Sequence, residues 1–205
     1  MKQYCDARAR VKQYYDARAL EYDEWYLSQG LFELRERPGW EEAVRALEQA
    51  LARLPAASTL DVACGTGFLT RHLPGDITGL DQSEQMLEIA RERVPHATLI
   101  RGDALKLPFA DAGFERVFTG HFYGHLEEPE RQTFVSEARR VGRELIVIDS
   151  AVRPDHEREE WQTRVLNDGS RFSVYKRYFD AEALADELGS GTVLHQSPWF
   201  VMAMA

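Results

Sequence analysis

Between Thr59 and Asp149 short apolar runs alternate with helical stretches, and this alternation constrains the fold more than any other feature of the chain. Thr59–Ala63, Ile77–Leu80, Thr98–Arg101, Arg116–Thr119 and Glu144–Asp149 read as strands, with helices around Phe68–Leu73, Ser83–Val94 and Pro129–Val141 between them. Such a pattern predicts a parallel sheet covered by helices on both faces. Upstream, residues 2–27 read as helical. A second helix runs from Pro38 to Leu54, with Trp40, Val44, Leu47, Leu51 and Leu54 on one face. Downstream, Asp155–Leu166 reads as helix, Arg171–Tyr178 as extended and Ala181–Leu188 as a helix stopped by Gly189. Thr192–Gln196 and Trp199–Ala205 form a terminal antiparallel pair that would extend the sheet.

The first twenty residues hold a short duplication, Lys2 to Ala9 recurring as Lys12 to Ala19. A period of ten is too short for a stacking repeat, and ten steps of about 100° do not return to one helix face. A duplication without architectural meaning is the preferred reading.

The chemistry concentrates in Leu60-Asp-Val-Ala-Cys-Gly-Thr-Gly-Phe-Leu-Thr70, a strand entering a turn of small residues. Small residues let backbone N–H groups approach a ligand, and a helix opening there would add partial positive charge for a carboxylate or phosphate. Asp81, at the end of the next strand, can accept both ribose hydroxyls of an adenosine. A dinucleotide fingerprint wants a third glycine where Thr70 stands, which disfavours a nicotinamide-dependent oxidoreductase and leaves it as the rival enzyme class. A non-catalytic cofactor-binding regulator is the rival outside enzymes.

These residues resemble the class I S-adenosylmethionine-dependent methyltransferases. Asp61-Val-Ala-Cys-Gly-Thr-Gly67 is similar to their motif I, D/E-x-G-x-G-x-G, with Ala63 in place of the first glycine. Gly79-Leu-Asp81 with Gln82-Ser-Glu-Gln-Met86 resembles motif II, and Arg101-Gly-Asp-Ala104 the segment that meets adenine. Tyr14-Tyr-Asp-Ala-Arg-Ala-Leu-Glu-Tyr-Asp23 resembles the opening helix of the ubiquinone/menaquinone-biosynthesis C-methyltransferases. The resemblance implies an α/β, Rossmann-like, doubly wound and mostly parallel seven-stranded sheet with a C-terminal antiparallel strand. Residues 1–55 would form an N-terminal helical cap and residues 56–205 the cofactor-binding domain. It implies S-adenosyl-L-methionine as cofactor, bound by Tyr14, Tyr22, Asp61, Ala63, Cys64, Gly65, Gly67, Asp81, Gln82, Met86, Asp103, Ala104 and His121. No catalytic base is evident; His121 and Tyr123, at the carboxyl end of strand four, are the candidates, and a transfer to a neutral amine needs none.

The remaining expectations come from composition. Lys and Arg number 25 against 34 Asp and Glu, a net charge of −9 that argues against binding nucleic acid through phosphate neutralisation. Cys5 and Cys64 make no C-x-x-C pair, and no disulfide framework is expected. His121 and His125 have an H-x-x-x-H spacing, but Gly120 and Gly124 oppose a helix there, so no metal is expected. No apolar run approaches 18 residues, so the chain is expected to be cytoplasmic and off the membrane, while the resemblance implies a small-molecule methyl acceptor. The acceptor's identity and the oligomeric state stay open.

Overall fold

The computed structural model describes residues 11–154 and 156–205. The first copy of the duplication therefore lies outside the described residues. Residues 11–18 form helix α1, and a single tight turn at Ala19–Glu21 leads into the short α2, Glu24–Leu27. Helix α3, Trp40–Ala52, follows. Strands β1 (Ala57–Val62), β2 (Gly75–Asp81) and β3 (Thr98–Arg101) then form one half of a sheet, with α4 (Glu84–Arg93) between the second and third. Strand β4 (Phe114–Gly120), helix α5 (Glu128–Val141) and strand β5 (Gly142–Ser150) form the other half. Strands β6 (Glu159–Val165) and β7 (Arg171–Arg177) make a separate hairpin, and α6 (Ala181–Glu187), β8 (Thr192–Gln196) and β9 (Phe200–Met204) complete the order.

The seven-stranded sheet runs β3-β2-β1-β4-β5-β9-β8. Pairings among β1 to β5 are parallel, and β9 is antiparallel to both its neighbours. Strand order reverses at β1, so the carboxyl ends of β1 and β4 splay around a crevice of the kind that binds ligands in open α/β sheets. Alternation along β5 explains why both faces are covered. Leu145 and Val147 face the core built with α5 and α6; Ile146 and Ile148 face the one built with α3. Because Trp40, Val44, Leu47 and Leu51 share that second core with Phe118, Phe200 and Met202, α3 is a layer of the sheet domain.

Two elements differ from expectation. Residues 68–73 hold only a single turn at Thr70–His72, because the loop carries on through buried Phe68 and Leu69 and reaches β2 within a few residues. Asp155–Leu166 was expected to be helical, yet Glu159–Val165 is a strand in register with β7, Trp161 opposite Tyr175. Its charged and amide residues have no strand preference of their own; pairing and packing override propensity there. No described helix is long and apolar enough to cross a membrane.

Candidate active site

The glycine loop turns tightly after β1. Ala63, Gly65 and Gly67 all take positive φ, +59°, +56° and +74°. Gly65 and Gly67 adopt this region freely, whereas Ala63 bears the strain of a Cβ in the left-handed region. Ala63→Gly should therefore raise the unfolding free energy by about 1 kcal/mol. An unchanged urea midpoint would mean that the loop relaxes around alanine.

Asp81 anchors this loop. Its carboxylate accepts the Gly65 N–H and the Ser83 N–H, each at 2.9 Å. Burial raises its pKa, opposed by those backbone bonds, and each oxygen keeps a lone pair for a ligand hydroxyl. Ser83 in turn caps α4 by accepting from the Met86 N–H, which fixes Met86 under the site.

Above the loop, the Asp23 carboxylate accepts from the Thr66 hydroxyl at 2.6 Å and pairs with Arg93 of α4. Arg93 also donates to the Thr66 carbonyl at 3.0 Å. The N-terminal segment is thereby latched to the loop, and Tyr22 lies across it, 3.8 Å from where a Cβ on Gly65 would stand.

These groups border a cleft at the carboxyl end of the sheet. Of the residues implied by resemblance, Tyr22, Ala63, Gly65, Asp81, Gln82, Met86, Asp103, Ala104 and His121 line it. Asp103 also accepts from the Leu105 N–H, closing its own turn. The others lie elsewhere. Tyr14 packs against Leu166 and Val174 of the hairpin, and its neighbour Tyr15 takes the place in the cleft, because the tight turn at Ala19–Glu21 breaks the helical phase that would align Tyr14 with Tyr22. Asp61 is buried beneath the loop and accepts from the Thr70 hydroxyl at 2.6 Å. Cys64 lies buried against β2, its sulfur 3.0 Å from a Cβ built on Gly79, and Gly67 packs on Val94 and Ala90 of α4. Tyr123 lines neither this cleft nor the one described next: its ring meets Phe134 and Phe179 and its hydroxyl donates to Glu187. His125, Phe122, Trp161 and Tyr175 line the cleft without having been singled out for it. Trp161 gave no signal because its strand reads as helix, whereas Tyr175 stands on the run already read as extended.

His121 occupies the junction. It also takes positive φ, +57°, and lines both this cleft and a second one between the N-terminal segment and the hairpin. Its ring is wedged among Trp25, Tyr26 and Phe200, and both ring nitrogens are buried with no partner. Burial, the dominant influence, pushes its pKa down to about 3, so the ring stays neutral. Tyr15, Tyr22 and His125 border both clefts as well.

The residues fit an adenosine-bearing ligand. Carboxylates Asp81 and Asp103 supply acceptors for hydroxyl and amino donors, and Met86, Leu126 and Phe122 supply apolar contact. The loop opens no helix, so it lacks the N-terminal anion site on which a dinucleotide pyrophosphate would sit.

Comparison with known proteins agrees. Residues 59–144 match the methyltransferase domain family. An uncharacterised methyltransferase of Alkaliphilus oremlandii is 25% identical over 150 residues, 70% of this chain and 67% of that protein. A demethylmenaquinone methyltransferase of Staphylococcus haemolyticus is 38% identical over 94 residues, 42% of this chain and 38% of that protein, so the match spans well under half its length. The structure of a DhpI–SAH complex superposes with a TM-score of 0.71 at 26% identity, covering 94% of this chain and 92% of that one. In glycine loop, acidic second-strand terminus and sheet order the chain is similar to the class I S-adenosylmethionine-dependent methyltransferases.

Proposed function

We propose that the protein methylates a small molecule seated in the second cleft. The supporting observation is that the two clefts share Tyr15, Tyr22, His121 and His125, so a donor in one and an acceptor in the other can meet at His121. When bound, S-adenosylmethionine would supply a sulfonium methyl to the acceptor's lone pair, the carbon–sulfur electron pair remaining on the departing thioether and any proton on the acceptor atom being lost to solvent as the product leaves.

The chain's own part is positioning. Asp81 and Asp103 hold the adenosine end. Tyr15, Tyr22 and Phe122 close aromatic surface over the junction and keep water away. Neutral His121 offers a hydrogen bond that orients the acceptor, and its depressed pKa makes it a poor proton acceptor. In this reading residues 11–55 form the cap, the part before α3 acting as the lid and α3 seating it on the sheet, and residues 56–205 form the cofactor-binding domain, with the Asp23 latch joining them.

Incubation of the protein and methyl-labelled cofactor with a metabolite extract tests this. Label should appear in a low-molecular-mass product with release of S-adenosylhomocysteine. Cofactor binding with no label transfer would make the protein a binder only. Asp81→Ala should weaken cofactor binding by about ten- to a hundredfold, the loss of a charged hydrogen bond worth roughly 1.5–3 kcal/mol. Calorimetry on the folded variant checks it, and unchanged affinity would remove Asp81 from the site.

A further inference from the structure

The second cleft is walled by cations from distant segments: Arg18 of α1, Arg35 and Arg37 before α3, Arg153 after β5, Arg164 of β6 and Lys176 of β7. Among the described lining residues the only carboxylate is Glu36. Lys176 is neutralised by buried Asp149. Arg18, Arg35, Arg37 and Arg164 meet no carboxylate among the described residues. Arg18 donates to the Tyr14 hydroxyl, and Arg37 to the Trp25 carbonyl and the Ser28 hydroxyl. The Nε groups of Arg37 and Arg164 are buried and unpaired. Rings hold some of the guanidinium planes, Arg37 lying 4.0 Å over Trp40 and Arg35 4.7 Å over Phe32. Partial burial, then Arg164 and Arg18, lower the Arg35 pKa; partial burial, then Arg35, pushes Arg37 down to about 10. A chain with nine excess negative charges has thus gathered mutually repelling cations around one hollow.

We infer that the acceptor carries a carboxylate or phosphate group, clamped by Arg35, Arg37 and Arg164, with its reacting atom at His121. The inference deepens the methyl-transfer reading and rests on it. Guanidinium forks match planar and tetrahedral oxyanions bidentately, and an oxyanion here would relieve the repulsion. An acceptor that is neutral and mostly hydrocarbon would leave these charges unpaired.

The protein loaded with S-adenosylhomocysteine is titrated in low salt with acetate and, separately, with inorganic phosphate. The fluorescence of Trp25, Trp40 and Trp199, which line the cleft, reports binding. Saturable binding is expected, weakened at least tenfold in Arg164→Gln and Arg35→Gln but not in Arg53→Gln, with cofactor affinity equal in all. The tighter probe tells carboxylate from phosphate. Label transfer is then compared between small acids and their neutral amides or esters, and should favour the acids. Anion binding equal in wild type and all three variants overturns the inference. So does methyl transfer to neutral acceptors at an undiminished rate in Arg164→Gln, while the transferase reading stands. Variant-sensitive anion binding with no transfer to any compound upholds the anion site and overturns the transferase reading.

Discussion

Urea unfolding of a Lys176→Met variant should show a loss of about 3–5 kcal/mol, a large part of the 5–15 kcal/mol that holds an ordinary domain together. Lys176 and Asp149 are both buried, and Asp149 is fully so. Burial alone would raise the Asp149 pKa; the charge and hydrogen bond of the Lys176 ammonium hold it below the usual carboxylate range. The carboxylate also accepts the Gly124 N–H and the Ser150 N–H, each at 2.7 Å. Removing the ammonium leaves a charge with no counter-ion in the interior, and the pair links β5 to the hairpin. Adding Asp149→Asn should restore much of the loss by removing that charge, although the amide's single carbonyl cannot serve both N–H donors. A loss below 1 kcal/mol would mean that Asp149 simply takes up a proton. Because the Gly124 bond fixes the turn carrying His121 and His125, the single variant should also weaken acceptor turnover.

The second large effect concerns pH. Burial pushes the Asp61 pKa up to about 7, against a hydrogen bond from Thr70 that lowers it. In the unfolded chain the same carboxyl ionises near 3.9. Between these values the unfolded state sheds a proton that the folded state keeps, so stability falls as pH rises. The contribution is fully present below about pH 4 and is lost progressively up to about pH 7. About three units at roughly 1.4 kcal/mol each give a change on the order of 4 kcal/mol. Asp61→Asn retains an acceptor for Thr70 but cannot titrate. The variant should therefore gain about 4 kcal/mol relative to wild type between pH 4 and pH 8, other groups cancelling in the difference. Parallel stability curves for the two proteins would show that Asp61 ionises normally in the fold.

The central sheet was legible because its strands are short apolar runs that propensity and packing both favour, and because the glycines between β1 and β2 announce a tight turn. The place of Asp81 beside the loop was legible for the same reason, since a strand's end fixes where its side chain points. Tyr14 misled because helical phase was carried through residues where the helix tightens and breaks. The strand at Glu159–Val165 has no local signature: polar residues alternate there without a core, and only the facing strand and the N-terminal segment define it. The cationic cleft was hidden for a geometric reason. Arg18, Arg37 and Arg164 are separated by 19 and 127 positions, and only the folding of the hairpin over the N-terminal segment makes them neighbours.

Strand β9 lies between β5 and β8, although it is made some fifty residues after β5. During synthesis, β1 to β5 can pair and α3 to α5 can cover them while the outer edge of β5 waits. Ile146 and Ile148 then lack Phe200 and Met202 above them, and a row of unpaired amides faces outward. Such an edge is a template for another chain's strand. Ribosome-bound intermediates ending between residues 151 and 199 are thus the species most exposed to co-aggregation. Expression at a lower temperature, or with a holdase that shields β5, would act on yield through this interval of translation, with no change in the finished protein's stability.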